Sequence, residues 1–187
     1  MASGRKRPLG SFLRPKIDIL FLALNPAPDS AKNKSWFSGN KSFWNLLYRS
    51  GLITRPVGEA VGADKLVFGS SSINHKKSVY GAIDLVPDVV ESKSRKVKVN
   101  DRHLEQLRKT LKSHSVKVLC IMHYRVAEEL EKARWIKRRR GYQRRKYGLV
   151  GTLGSTRIYE MPFHLGNNVA DKHKLYESLL NELKGQR

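Results

Sequence analysis

The chain has 187 residues, which is enough for one hydrophobic core and short for two. Its 37 Lys and Arg residues against 16 Asp and Glu leave a net charge of +21, which favours a polyanionic partner, nucleic acid first and an anionic membrane surface second. The single cysteine, Cys120, lies in an apolar run as a small core side chain. It excludes an intrachain disulfide, a thiolate zinc site and a four-cysteine iron–sulfur cluster, and we expect no cofactor.

The first 16 residues are basic and poor in apolar side chains, with Arg5, Lys6 and Arg7 in succession. We predict that residues 1–16 form a flexible arm and that residues 17–187 form one domain. No apolar run approaches the roughly 20 residues of a membrane-spanning helix, and no apolar signal core follows the basic residues. These features predict a soluble, intracellular protein. We further expect a monomer without a membrane partner, either nucleoid-associated in the cytoplasm or in the nucleus.

Residues 17–24 form an apolar run that leads directly into Asn25 and Pro26. The run is typical of a buried parallel strand that ends in a sharp loop. An open α/β sheet binds its ligand at the carboxyl ends of its strands, so Asn25, whose amide can donate and accept hydrogen bonds, is a candidate functional residue. Taken alone, Asn before Pro is more simply a turn.

The segment after this loop returns two aromatic residues, Trp36 and Phe37, to the region beyond the strand. Ser42 is the predicted N-cap of a short helix that ends at Gly51. The stretch from residue 52 to 77 has no clear periodicity.

The rest of the chain alternates between strand and helix patterns. Three further runs have strand character: residues 78–87, 116–122 and 156–161. Two helices are predicted between them, one capped by Asn100 and Asp101 and one running from His123 to about Ala133, where His123 has a capping role or interacts with the helix dipole. A last helix buries Leu175, Leu179, Leu180 and Leu183. Strands separated by helices predict a parallel sheet covered on both faces.

A dense basic segment lies between Lys132 and Lys146, where nine of the fifteen residues are Lys or Arg and aromatic residues are interleaved. Such a run is often a solvated face, but its density favours contact with nucleic acid. The predicted DNA-binding residues here are Arg138, Arg139, Arg140, Arg144 and Arg145.

Several of these segments together resemble a known family. Residues 24–26, followed by Phe37 and by residues 40–44, resemble the first motif of the mismatch-specific uracil/thymine DNA glycosylases, in which an Asn-Pro loop precedes a stacking Phe and an Asn-Arg-Phe-Trp helix start. Residues 80–86 are similar to the second strand of that family and residues 151–162 to its last hairpin. The four segments occur in the family's order, and the chain is identified as a member of the uracil-DNA glycosylase superfamily.

The resemblance implies a three-layer α/β/α fold with a central four-stranded parallel sheet. It implies a monofunctional DNA repair glycosylase that flips a damaged or mispaired base, uracil or a related deaminated base, out of double-stranded DNA and hydrolyses its N-glycosidic bond. Asn25 would position the attacking water and Phe37 would stack on the flipped base. Phe37 could also be an ordinary core aromatic.

Four further residues belong to the substrate-binding set that the resemblance implies. Leu24, Pro26 and Ala27 belong to the first motif, where Ala27 replaces a glycine of the family. Asp84, at the end of the second strand, would be a carboxylate at the edge of the site, with a local cap or an ion pair as the simpler interpretation.

The second motif of the family departs most from this chain. After Pro162 the family reads approximately Asn-Pro-Ser-Gly-Leu-Ser, whereas residues 163–168 read Phe-His-Leu-Gly-Asn-Asn. Phe163 would contact the base. In the superfamily's main uracil-excising branch a His begins this loop; His164 lies one position later and would be catalytic by donating a hydrogen bond to a carbonyl oxygen of the departing base. A packing or capping role for His164 is the alternative. Gly166, Asn167 and Asn168 would contact DNA, with Asn167 at the position that wedges into the duplex.

Two other functions compete with the glycosylase. A glycosylase-fold protein that binds DNA or RNA and has lost the chemistry would account for the altered second motif and the large positive charge. A basic ribonucleoprotein component unrelated to glycosylases would leave the four ordered segments unexplained.

Replacing Arg138, Arg139 and Arg140 together by neutral residues should flatten the slope of log K against log salt by up to about 3, because each lost phosphate contact removes roughly 0.9. Binding titrations of the parent and the variant on one duplex at several salt concentrations measure this slope. An unchanged slope would mean that these three side chains make no phosphate contacts.

Overall fold

A computed structural model of the chain describes residues 9–137, 147–162 and 172–184. The described residues form one sheet of five strands, with the spatial order β2-β1-β3-β5-β4. The strands are β1 (Ile17–Ala23), β2 (Tyr80–Asp84), β3 (Val116–Ile121), β4 (Gly148–Leu153) and β5 (Thr156–Glu160). The helices are α1 (Pro28–Asn33), α2 (Lys41–Arg49), α3 (Asp101–Ser113), α4 (Tyr124–Lys132) and α5 (Lys172–Lys184).

The sheet is mixed, which corrects the prediction of a sheet with four parallel strands only. β1 pairs in parallel with β2 and β3, and β3 pairs in parallel with β5, but β4 runs antiparallel to β5 at the edge. Leu153 pairs with Thr156, so a two-residue turn joins β4 to β5, and Gly154 supplies the positive φ of 59° that such turns need. β4 is half-exposed along its length and lacks the apolar run of the buried strands.

Helices cover both faces of the sheet. Ile19 and Phe21 point into a core cluster that includes residues of α2 and α5, whereas Leu20 and Leu22 point into a second cluster with residues of α3 and α4. This alternation follows from the two-residue period of a strand. Cys120 on β3 is fully buried, as predicted for a core thiol. None of the helices in the described ranges is long and apolar enough to cross a bilayer.

Two of the predicted helix starts are confirmed and one is wrong. Asn100 caps α3 and His123 caps α4, as expected. Ser42 does not cap α2; Asn40 does, with its Oδ1 accepting the backbone N–H of Phe43 at 3.3 Å and the Ser42 hydroxyl at 2.6 Å. Asn40 directly precedes the first helical residue, which is where a side-chain acceptor can reach the free N–H groups.

The last helix packs through a different set of side chains than predicted. Leu179 and Leu180 are buried as expected, but Leu175 and Leu183 are only partly buried. Tyr176 is fully buried in their place, and its hydroxyl donates to the carbonyl of Pro162 at 3.2 Å. A tyrosine of this kind is accommodated in a core because its polar end has a partner.

The described part of the N-terminal segment lies along the outer edge of β2. Phe12 and Ala82 exchange two backbone hydrogen bonds of 3.0 and 3.2 Å, in an antiparallel bridge. A Cβ added at Gly81 would lie 2.7 Å from the carbonyl oxygen of Phe12. Glycine at this position therefore permits the segment to approach the strand.

Gly81→Ala should lower the free energy of unfolding by about 1 to 3 kcal/mol, because the new methyl group must push backbone atoms apart. Urea unfolding of the parent and the variant measures the loss. Gly58→Ala is the matched control, since a Cβ there meets nothing within 4 Å. Equal stability of the two variants would contradict the close approach.

Candidate functional site

The strand order places a crevice between the carboxyl ends of β1 and β3. The chain leaves β1 toward β2 on one side and leaves β3 toward β5 on the other, so the loops after these two strands diverge. Open α/β sheets bind ligands at such a point. A cleft of about 610 Å³ opens here, within the range of roughly 300 to 1,000 Å³ that is usual for ligand sites.

All the predicted substrate-site residues in the described ranges line this cleft together with Asn25: Leu24, Pro26, Ala27, Phe37 and Asp84. The other predicted site residues lie outside the described ranges: Phe163, His164, Gly166, Asn167, Asn168, Arg138, Arg139, Arg140, Arg144 and Arg145. The loop after β2 also lines the cleft, through residues that the sequence did not single out: Glu91, Ser92 and Ser94.

The side-chain amide of Asn25 is held by backbone carbonyls. Its Nδ2 donates to the carbonyl oxygens of Pro26 at 3.1 Å, Val89 at 3.1 Å and Glu91 at 2.8 Å. Among the described residues, no group donates to its Oδ1. The amide is therefore held in one orientation, its nitrogen is occupied, and its oxygen is the atom left to accept a hydrogen bond from a ligand or a water.

Phe37 presents a half-buried aromatic ring at the wall of the cleft. Its ring centroid lies 4.1 Å from that of Phe43, with Trp44 edge-on at 5.9 Å. Its φ of 53° lies in the left-handed region, which a bulky residue rarely adopts outside turns and functional sites. One side of the ring is supported by other aromatic residues while the ring also lines the cleft.

A buried carboxylate from the unpatterned stretch 52–77 holds the loop that carries Phe37. Asp64 accepts the Ser35 hydroxyl on Oδ1 and the backbone N–H of Trp36 on Oδ2, both at 2.9 Å. The indole N–H of Trp36 donates to the carbonyl of Gly10 at 2.7 Å. The aromatic loop is thus fastened by residues far away in sequence, and no local pattern identified Asp64.

Asp84 is a buried carboxyl group without a hydrogen-bond partner among the described residues. It ends β2 opposite Ala23 of β1, it is 9% exposed, and neither of its oxygens has a partner there. Within the described residues, Asp84 makes neither the cap nor the ion pair that was the simpler interpretation. Burial raises the pKa of this carboxyl to about 8, so that its neutral form predominates at pH 7.

Asp84 also lines a second cavity of about 530 Å³, which lies between the N-terminal segment and α3. Trp36 and Leu9 line both spaces. Asp84 therefore lies at the boundary between two concave sites.

His123 follows β3 and lines the cleft in addition to capping α4. Its Nδ1 accepts the backbone N–H of Arg125 at 3.1 Å, and its ring stacks on Tyr124 with centroids 4.9 Å apart. The sequence predicted the cap but not the cleft position. The sequence pattern that identified Asn25 also applies to His123, because each residue follows a buried strand.

The comparisons with known proteins add no relative. No protein-family model matches the chain, and no curated protein matches it either. Within the described ranges, His, Cys, Asp and Glu side chains form no group of three that could hold a metal ion.

Asp84→Asn should stabilise the protein increasingly as the pH rises. The unfolded carboxyl ionises near pH 4, whereas the folded one keeps its proton to about pH 8, so the parent loses stability across this interval and the amide does not. The stability advantage of the variant should grow by about 1 to 3 kcal/mol between pH 5 and pH 7, at about 1.4 kcal/mol per unit. Urea unfolding at both pH values measures it; an advantage independent of pH would contradict the raised pKa.

Proposed function

We propose that the protein is a DNA repair glycosylase that hydrolyses the N-glycosidic bond of uracil or a related deaminated base flipped out of double-stranded DNA. The observation that carries the proposal is the meeting of Asn25, Phe37 and Asp84 at one cleft. They supply an oriented amide, an aromatic face and a carboxyl group that has no hydrogen-bond partner among the described residues. These are the groups needed to hold a water, stack a base and recognise its edge.

The order and direction of the strands also support the proposal. β2, β1, β3 and β5 are four parallel strands with helices on both faces, which is the core that the resemblance to the uracil-DNA glycosylase superfamily implies. β4 adds an antiparallel edge strand to this core. In such a core the loop after β1 is the natural place for the water-positioning motif.

The chemistry assigned to Asn25 requires orientation rather than acid or base strength. As the base departs, the sugar gains oxocarbenium character, and a water on the opposite side must point its oxygen at C1′. With its Nδ2 bound to carbonyls, Asn25 accepts a hydrogen bond from that water on Oδ1. A neutral amide does this over a wide pH range.

Phe37 and Asp84 together select and hold the flipped base. Flipping costs a few kcal/mol, and stacking on an aromatic ring returns about 1 to 3 kcal/mol. The neutral carboxyl of Asp84 offers one donor and one acceptor side by side, which complements the N3–H and O4 of uracil. Pairing with the base relieves the cost of leaving these oxygens buried and unpaired.

Exposed cations beside the cleft suit a DNA ligand. The loop after β2 lines the cleft with Glu91, Ser92 and Ser94 and carries exposed basic side chains: Lys93, Arg95, Lys96 and Lys98. Arg125 on α4 donates to the carbonyl of Ser94 at 2.8 Å and holds the loop in place. Phosphates flanking a flipped nucleotide would find these charges at the rim.

A DNA- or RNA-binding protein with the glycosylase fold and altered chemistry is the second candidate. The departure of residues 163–168 from the family's second motif favours it. Incubation with duplexes containing uracil, thymine opposite guanine, hypoxanthine, xanthine or an alkylated base, followed by cleavage at abasic sites, separates the two. Strand cleavage at any one base supports the glycosylase, and binding without cleavage at all of them supports the second candidate.

Asn25→Ala should lower the single-turnover excision rate by at least about 100-fold, which corresponds to roughly 3 kcal/mol of transition-state stabilisation. This variant also loses the hydrogen bonds that hold the 89–91 loop, so Asn25→Asp is the matched control. The aspartate likewise lacks the Nδ2 donors but keeps an acceptor for the water, and it should retain more activity than the alanine. An alanine variant within a factor of three of the parent would exclude the assigned role.

A further inference from the structure

Three basic segments meet at the edge of the sheet opposite the cleft. Residues 14–18 lie at the start of β1, residues 76–79 directly precede β2, and residues 112–117 lead into β3. The three strands are adjacent and parallel, with β1 between the other two. Their first residues therefore lie side by side, at the amino-terminal edge of the sheet.

Asp18 joins the three segments through hydrogen bonds. Its backbone N–H donates to the carbonyl of Val79, and its Oδ2 accepts the N–H of Val79, both at 2.8 Å. Its Oδ1 accepts a hydrogen bond from Nζ of Lys117 at 2.6 Å. Nδ1 of His114 donates to the carbonyl of Arg14 at 3.0 Å. The three segments thus form one continuous surface.

This surface is densely cationic. Six of its fifteen residues are Lys or Arg, against 37 of 187 in the whole chain, and its only acidic residue is Asp18, which is paired with Lys117. The other lysines are exposed, and none of them has an ion-pair partner in the part of the chain that the structure describes. These four lysines form the basic edge: Lys16, Lys76, Lys77 and Lys112.

We propose that the basic edge binds a second segment of double-stranded DNA through its phosphates, independently of base sequence. Lys16 and Asn25 lie beyond the two ends of β1, and at about 3.3 Å per residue they are roughly 30 Å apart. A duplex bound at the cleft lies at the carboxyl ends of the strands, so phosphates at the basic edge belong to another segment. The first segment is the one that the proposed function places at the cleft, and in this respect the inference rests on that function.

The composition of the three segments favours a duplex over the other polyanions. Proteins that bind single strands combine cations with aromatic stacking platforms, and these segments contain no Phe, Tyr or Trp. A helix that lies in a membrane surface buries large apolar side chains in the lipid, and these segments expose none. Lysines without such side chains suit contacts to the backbone of a duplex, which position a protein without reading the sequence.

The test asks whether one chain joins two duplexes. The full chain is added to a lesion-free duplex on beads and to a second, fluorescent lesion-free duplex in solution, and the captured fluorescence is measured at several salt concentrations. The parent should capture the second duplex. Replacing all four lysines of the basic edge by Gln should leave the protein on the beads, lower the capture by at least about tenfold, and flatten the salt slope of capture by up to about 3.6, at roughly 0.9 per phosphate contact.

Replacing the same four lysines by Arg is the matched control, because arginine keeps the charge that a phosphate contact needs. This variant should capture the second duplex as the parent does. Parental capture by the Gln variant, or loss of capture in the Arg variant, overturns the proposal. Stronger displacement of the captured duplex by single-stranded RNA, or by phosphatidylserine vesicles, than by unlabelled duplex overturns it as well, in favour of that partner.

Excision assays on the parent separate this inference from the proposed function. A chain that excises uracil but captures no second duplex contradicts the role of the basic edge alone. A chain that captures the second duplex through the basic edge but excises no base supports this inference, whereas the proposed chemistry at the cleft fails.

Discussion

The burial of β1 between two parallel neighbours is the constraint on which the site depends. Its interior residues are almost fully buried on both faces, and its backbone is paired with β2 on one side and β3 on the other. Because β2 and β3 run parallel to β1, the carboxyl ends of all three strands lie side by side. The residues that follow the three strands, or end them, therefore converge: Asp84, Asn25 and His123.

Two side chains of the cleft are held by hydrogen bonds to the backbone, whereas one buried carboxyl group has no hydrogen-bond partner among the described residues. The amide of Asn25 and the ring of His123 are each fixed by backbone partners. Asp84 has no partner among the described residues, although burying an unpaired polar group is costly. Stability is given up at a position where a ligand with complementary donors and acceptors would restore the missing hydrogen bonds.

The aromatic loop shows how a distant segment shapes the site. Phe37 needs an unfavourable φ to reach the cleft wall, and the loop is held by the bonds of Ser35 and Trp36 to Asp64. Asp64 belongs to the 52–77 stretch, which also contributes Val67 and Phe68 to the core. That stretch therefore supports the site, although it contributes no residue to the lining of the cleft.

The sequence by itself determined the order of the apolar strands, the caps at Asn100 and His123, the core position of Cys120 and the candidacy of Asn25 and Phe37. These follow from apolar runs, capping residues and short motifs, which act over a few neighbouring positions. Only the tertiary structure decided that Asp64 fastens the aromatic loop, that Asp84 has no hydrogen-bond partner among the described residues and that His123 lines the same cleft as Asp84. Each of these depends on residues tens of positions apart, and pairing over such distances is set by the packing of the whole sheet rather than by local preference.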